Sequence, residues 1–210
     1  LYTVTSSTAI TVANGTAQDI DTITLAGAGT KTVTGLVADL TLDATNTSTT
    51  GVTTGNASLT INANAAAGAL TVDGAALAQD KTLTLTGGAN GTTATVNNLV
   101  ADLVATTLAS ALTVDLADDA VDNAISITTG TFSTAINDSA ATDTITVNAA
   151  AIADNVLLST AGAGDFFISD LQGNLSNTAS GAVSVTLADN TDGLYTVTSS
   201  TAITVANGTA

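Results

Sequence analysis

The chain contains no cysteine, proline, histidine, methionine or tryptophan. It also contains no arginine and no glutamate: all 18 acids are Asp, and the only bases are Lys31 and Lys81. Each absence excludes chemistry. Without His or Cys there is no zinc site of the usual kind, no His-assisted nucleophile, no haem and no iron–sulfur ligation. Without Cys there is no disulfide framework. A net charge of −16 with no arginine excludes nucleic acid as an expected partner. Aromatics make up only 2% of the chain, so a core must be built from Ala, Val, Leu and Ile, which suits a thin core. Charged residues make up only 10%, so Thr, Ser and Asn must do most of the solvating. Mean hydropathy is +0.43. Yet uninterrupted apolar runs such as Ala149–Ala153 fall far short of the roughly 18 residues of a membrane helix, and no transmembrane segment is expected.

What the sequence has in abundance is alternation. Val, Ile or Leu alternates with Thr, Ser or Asp in Tyr2–Thr5, Thr22–Leu25, Ser58–Ile61, Thr82–Thr86, Ala111–Leu116, Thr144–Val147 and Ala182–Leu187. This is the period of half-buried β-strands. Asn14-Gly15, Asp73-Gly74, Gly87-Gly88 and Asn90-Gly91 punctuate the runs as corners. Two stretches compete with a strand assignment: Leu99–Leu112 has apolar residues near helical spacing, and Ala149–Ser159 is Ala-rich.

The second abundant feature is repetition. Residues 1–17 and 194–210 are identical, LYTVTSSTAITVANGTA, at an offset of 193 residues. The expectation is a tandem unit over 1–193, with 194–210 opening the next copy. A chain that opens on Leu1 without a basic leader also reads as a segment of something longer. Inside the unit, Val33–Leu40 (VTGLVADL), Val96–Leu103 (VNNLVADL) and Ile168–Leu175 (ISDLQGNL) mark three degenerate sub-repeats of about 64 residues. A thin aliphatic core, Gly corners, unbroken ladders and repetition together predict an all-β fold, a parallel β-solenoid of roughly six to nine coils per unit. The alternative is a tandem of β-sandwich domains, which lacks its usual aromatic anchor here.

Asp-Thr-Ile-Thr-Leu/Val (from Asp21 and Asp143), Ala111-Leu-Thr-Val-Asp and the Leu-Val-Ala-Asp-Leu motif resemble the long repeats of bacterial surface proteins. Those are the giant secreted adhesins and the surface-layer proteins of Gram-negative bacteria. The resemblance implies an extracellular or cell-surface location, an extended shape and, often, bound calcium. Gly87–Gly91 and Gly162–Asp165 only approach the calcium-binding nonapeptide of the repeat-in-toxin family, so that site does not carry over.

Asp118, Asp119 and Asp122 form the densest acid cluster and are the candidate Ca²⁺ ligands; no other cofactor is expected, and the fold does not require this one. Thr-x-Thr pairs recur, from Thr3 and Thr5 to Thr144 and Thr146, and would suit ice binding on a flat face, but their spacing along the chain is irregular. Lys31 and Lys81 each precede an alternating run and are expected in solvent. A Lys–Asn isopeptide lacks a helper Glu. Asn14, Asn46, Asn56, Asn90, Asn137 and Asn174 head Asn-x-Ser/Thr sequons. Phe132, Phe166, Phe167 and Tyr2 are expected in the core or at subunit contacts. With no group to bind and turn over a substrate, the expected function is structural: self-association with neighbouring repeats into a fibre, stalk or surface layer. A calcium-stiffened adhesin shaft and an ice-binding solenoid are the alternatives, and an enzyme is not expected.

Overall fold

The computed structural model describes residues 1–14, 22–64, 66–88, 92–118, 124–139, 143–189 and 195–208. The chain winds as a two-sided β-solenoid. One face is an 11-stranded sheet: β1 (Tyr2–Thr5), β3 (Thr22–Ala26), β5 (Asp39–Leu42), β7 (Leu59–Asn62), β9 (Thr82–Thr86), β11 (Asp102–Val104), β13 (Ala124–Thr128), β15 (Thr144–Asn148), β17 (Asp165–Leu171), β19 (Val183–Leu187) and β21 (Ile203–Asn207). The other is 10-stranded: β2 (Ile10–Ala13), β4 (Lys31–Leu36), β6 (Thr50–Thr54), β8 (Leu70–Asp73), β10 (Thr93–Leu99), β12 (Ala111–Leu116), β14 (Thr134–Asp138), β16 (Leu157–Gly162), β18 (Asn174–Asn177) and β20 (Val197–Ser199). Strands alternate strictly between the sheets, so each pair of strands is one coil. Each strand pairs in parallel with the strand two places along the chain. This parallel pairing replaces the β-sandwich alternative, whose sheets would be antiparallel.

Alternation decides which side chains point inward. In β9 the pattern Thr-Leu-Thr-Leu-Thr buries Leu83 and Leu85 and leaves the threonines half-exposed. Because the strands stack in register, equivalent residues form columns. Val12, Val33, Val52, Val72, Val96, Val114 and Ile136 follow one another inside the 10-stranded sheet. Leu83, Leu103, Ile127, Val147, Ile168 and Val185 do so inside the 11-stranded sheet. Two facing rows of aliphatic side chains fill the space between sheets about 10 Å apart, which is why the core needs almost no aromatic residue. Phe166 is the exception that enters the core, while its neighbour Phe167 points outward.

The three Leu-rich motifs adopt one corner. In each, the ladder register shifts between the first and fourth residues: Val33/Leu36, Val96/Leu99 and Ile168/Leu171. In each, the third residue takes a positive φ: Gly35 at 66°, Asn98 at 55° and Asp170 at 55°. The bulge turns the strand, and Leu36, Leu99 and Leu171 drop fully into the core. Glycine, asparagine and aspartate are the residues that tolerate this backbone. The first two corners lead from the 10-stranded to the 11-stranded sheet, and the third leads the other way.

No helix occurs among the described residues, and none there is long and apolar enough to cross a membrane. Leu99–Leu112 is a corner, β11 and the start of β12; Ala149–Ser159 is a turn leading into β16. Their apolar residues mark successive inward positions and corners, not one helical face.

Candidate functional site

A solenoid offers three kinds of surface: its faces, its corners and its two ends. On the 10-stranded face, one outward column runs Thr11, Thr32, Gly51, Thr71, Thr95, Thr113, Ala135, Ser159, Ser176, Thr198. Eight of these ten carry a hydroxyl, and none is bulky. Their sequence spacing is irregular because coil length varies, from 17 residues (Thr22 to Asp39) to 24 (Leu59 to Leu83). The corners absorb the difference and the ladder stays regular. The column beside it turns acidic and amidic in the middle, with Asp73 paired to Asn97 and Asp115 paired to Asn137. The opposite face is also rich in Thr, Ser and Asn, but Val104 and Phe167 interrupt it.

Of the candidate calcium ligands, Asp118 is exposed just after β12, while Asp119 and Asp122 lie outside the described residues. Among the described residues no three acids gather closely enough to hold a metal. Individual carboxylates satisfy nearby donors instead. Asp43 accepts a hydrogen bond from Thr45 N–H at 2.8 Å, which holds its pKa below the usual value. Asp39 and Asp102 accept from Thr60 N–H and Ser126 N–H of the next coil. Lys81 donates to Asp80 at 2.6 Å on the surface, and this bond lowers the Asp80 pKa.

Lys31 contradicts its expected exposure. It is fully buried, inward-facing between Ile10 and Thr50 in a core column. Its ammonium donates to Gly27 O and Gly29 O, both at 2.5 Å, and to Asn46 Oδ1 at 3.3 Å. Asn46 Nδ2 passes the chain on to Thr50 Oγ1 at 2.8 Å. Burial lowers the Lys31 pKa. Among the described residues no carboxylate lies within 4 Å of this ammonium. The Lys–Asn pair is therefore an internal hydrogen-bond node without an acid to assist bond formation between them. Asn14 and Asn46 are likewise buried, whereas Asn56 and Asn137 are exposed and Asn174 is half-buried.

The ends differ from every interior coil. At the first coil, Tyr2, Val4, Val12, Asn14 and Ile23 line an open hollow of about 280 Å³. At the last coil, Leu187, Ala188, Asp189, Tyr195, Asn207 and Gly208 line another of similar size. Val205 is exposed there, whereas its interior column neighbour Val185 is fully buried. Among the described residues, each end also leaves one edge of both sheets without a partner strand. No known protein family, curated protein or solved structure matches this chain.

Proposed function

We propose that this chain is a unit of an extracellular structural shaft, built by end-to-end stacking of successive 193-residue units into a fibre, stalk or surface layer. The observation that supports this reading is the pair of unfinished ends. Both present apolar core residues and open strand edges, while the core columns run through the molecule between them. Open parallel edges of this kind are templates for further strands, and a following unit covers them without a change of architecture. The mechanism is mechanical: tension along the axis is carried by a continuous backbone ladder and a dry aliphatic core. The reading involves no catalysis.

The test is electron microscopy of chains carrying one, two and four units. Rod length is expected to grow linearly, by about 46 Å for each 193-residue unit, because the residues of β1 recur in β20, nineteen described strands on, at two strands and about 4.8 Å per coil. Beads of constant size joined by gaps contradict it.

A second reading rests on the hydroxyl column of the 10-stranded face. Threonine rows about 4.8 Å apart on a flat sheet order water, and ice binding is the function such rows support. Thermal hysteresis of the chain at millimolar concentration tests it, and no depression of the freezing point below the melting point removes it.

A further inference from the structure

The identical 17-residue segments occupy opposite sheets. Residues 2–5 form β1 in the 11-stranded sheet, while their counterparts 195–198 supply most of β20 in the 10-stranded sheet. Residues 10–13 form β2 in the 10-stranded sheet, and their counterparts lie in β21 of the 11-stranded sheet. The offset of 193 residues therefore contains nineteen strands among the described residues, an odd number. That is nine and a half coils, not a whole number.

The two copies also use opposite edges. The first stacks only on the coil that follows it: Val4 pairs with Leu25 and Val12 with Val33. The second stacks only on the coil that precedes it: Val197 pairs with Leu175 and Val205 with Val185. What one copy lacks, the other shows. Asn14 is buried and its Oδ1 accepts from Val37 N–H at 2.8 Å, whereas Asn207, the same residue in the second copy, is exposed. Tyr195 Oη donates to Ala188 O at 2.9 Å, whereas Tyr2 is 60% exposed. At the corner, Asn177 Nδ2 donates to Ser199 Oγ at 2.9 Å and Thr201 Oγ1 at 3.2 Å from the preceding coil. In the first copy, Gly27 and Gly29 press on the other side of that corner, at Ser6 and Thr8, where any Cβ would overlap backbone.

We infer that the β20–β21 end is the docking surface for residues 22–36 of a second copy following in the same chain, which continues the coil half a turn out of phase. This rests on the shaft reading above and adds its geometry. The joint is an ordinary interior coil whose two sides are each present at one end of this structure. In it, Leu175, Val197 and Leu25 of the second copy form one core column, and Val185, Val205 and Val33 of the second copy form another. Every feature of the 10-stranded face, the hydroxyl column included, passes to the opposite side in the next unit and returns after two units. The fold tolerates the exchange, because one Leu-rich corner already occurs in both senses within a single chain.

The test uses a two-unit chain, residues 1–210 followed by a second copy of residues 18–210. The protein has no cysteine, so introduced thiols are unique. Ser176→Cys in the first unit and Ala26→Cys in the second flank Thr198, the counterpart of Thr5, on one outward column. They lie two coils apart, about 10 Å. Labelled with pyrene, they are expected to give an excimer band comparable to that of Thr113→Cys with Ser159→Cys, a pair two coils apart within one unit. A second pair, Asn174→Cys with Thr24→Cys of the second copy, replaces the first if either substitution impairs folding. Monomer emission alone from a folded two-unit rod of doubled length overturns the half-turn joint and leaves the shaft reading standing. Two separate bodies without a doubled rod overturn both.

Discussion

At the scale of single residues, Lys31 shows how a solenoid assigns its side chains. Thr32 and Thr34 are outward, Lys31 and Val33 inward, and strand parity allows nothing else. The strand pattern KTVT contained this information; the general preference of lysine for solvent obscured it. The cation is kept because Gly27 O, Gly29 O and Asn46 Oδ1 replace its water. Lys31→Met removes their common donor and is expected to lower stability by about 1–3 kcal/mol, measured as a shift in the urea midpoint at pH 7. The pH dependence follows from the lowered pKa. The folded chain releases the Lys31 proton at a lower pH than the unfolded chain, whose lysine titrates near 10.5. Below the folded value both states hold the proton and the full cost of burying the charge is present. As pH rises between the two values the unfolded state binds more protons, so stability increases. The advantage of the parent chain over Lys31→Met is therefore expected to widen from pH 7 towards pH 10. A gap that stays constant, or narrows, refutes the assignment.

At the scale of elements, the strands and their parallel coiling were legible and the register of the stack was not. Alternation located the segments that became β3, β9, β12, β15 and β19, because a half-buried strand imposes its period of two on any sequence that folds into it. Which strand neighbours which depends on coil length. Lengths between 17 and 24 residues hide the regular hydroxyl column from any search at fixed spacing. The apolar clusters near Leu99 and Ala149 misled for the same reason: a corner brings inward residues closer in sequence than a strand does. The candidate calcium cluster was legible only as composition, since an acidic run says nothing of how its oxygens converge. The corners themselves support a sharp prediction. Asn98 takes a left-handed conformation and donates to Asp73 Oδ1 at 3.2 Å. Asn98→Gly and Asn98→Val both remove that bond, but only valine opposes the backbone. Asn98→Val is expected to be less stable than Asn98→Gly by about 1–2 kcal/mol in equilibrium urea unfolding. Equal stabilities would show that the corner relaxes its φ.

At the scale of the whole molecule, charge is best treated as a linear density. Net charge −16 spread over the twenty-one described strands, or about 50 Å of axis, is roughly one negative charge per 3 Å. Duplex DNA carries one per about 1.7 Å and condenses counterions. Here neighbouring charges sit well inside the roughly 10 Å screening length of 0.1 M salt, so self-repulsion opposes the folded rod and salt relieves it. The thermal midpoint is expected to rise as sodium chloride increases from 10 to 500 mM, in contrast to a protein held together by surface ion pairs. Calcium separates two readings at matched ionic strength. If it acts as a diffuse counterion, calcium chloride raises the midpoint modestly, and the triple variant Asp118→Asn, Asp119→Asn, Asp122→Asn keeps most of that rise. If those three carboxylates form a site, the rise is larger, saturates at low calcium and disappears in the triple variant. A midpoint indifferent to both salts would mean that the acids are too well solvated to repel. Any separation between such rods would then fall to their Thr and Asn surface, because a charge that does not destabilise one rod will not hold two apart.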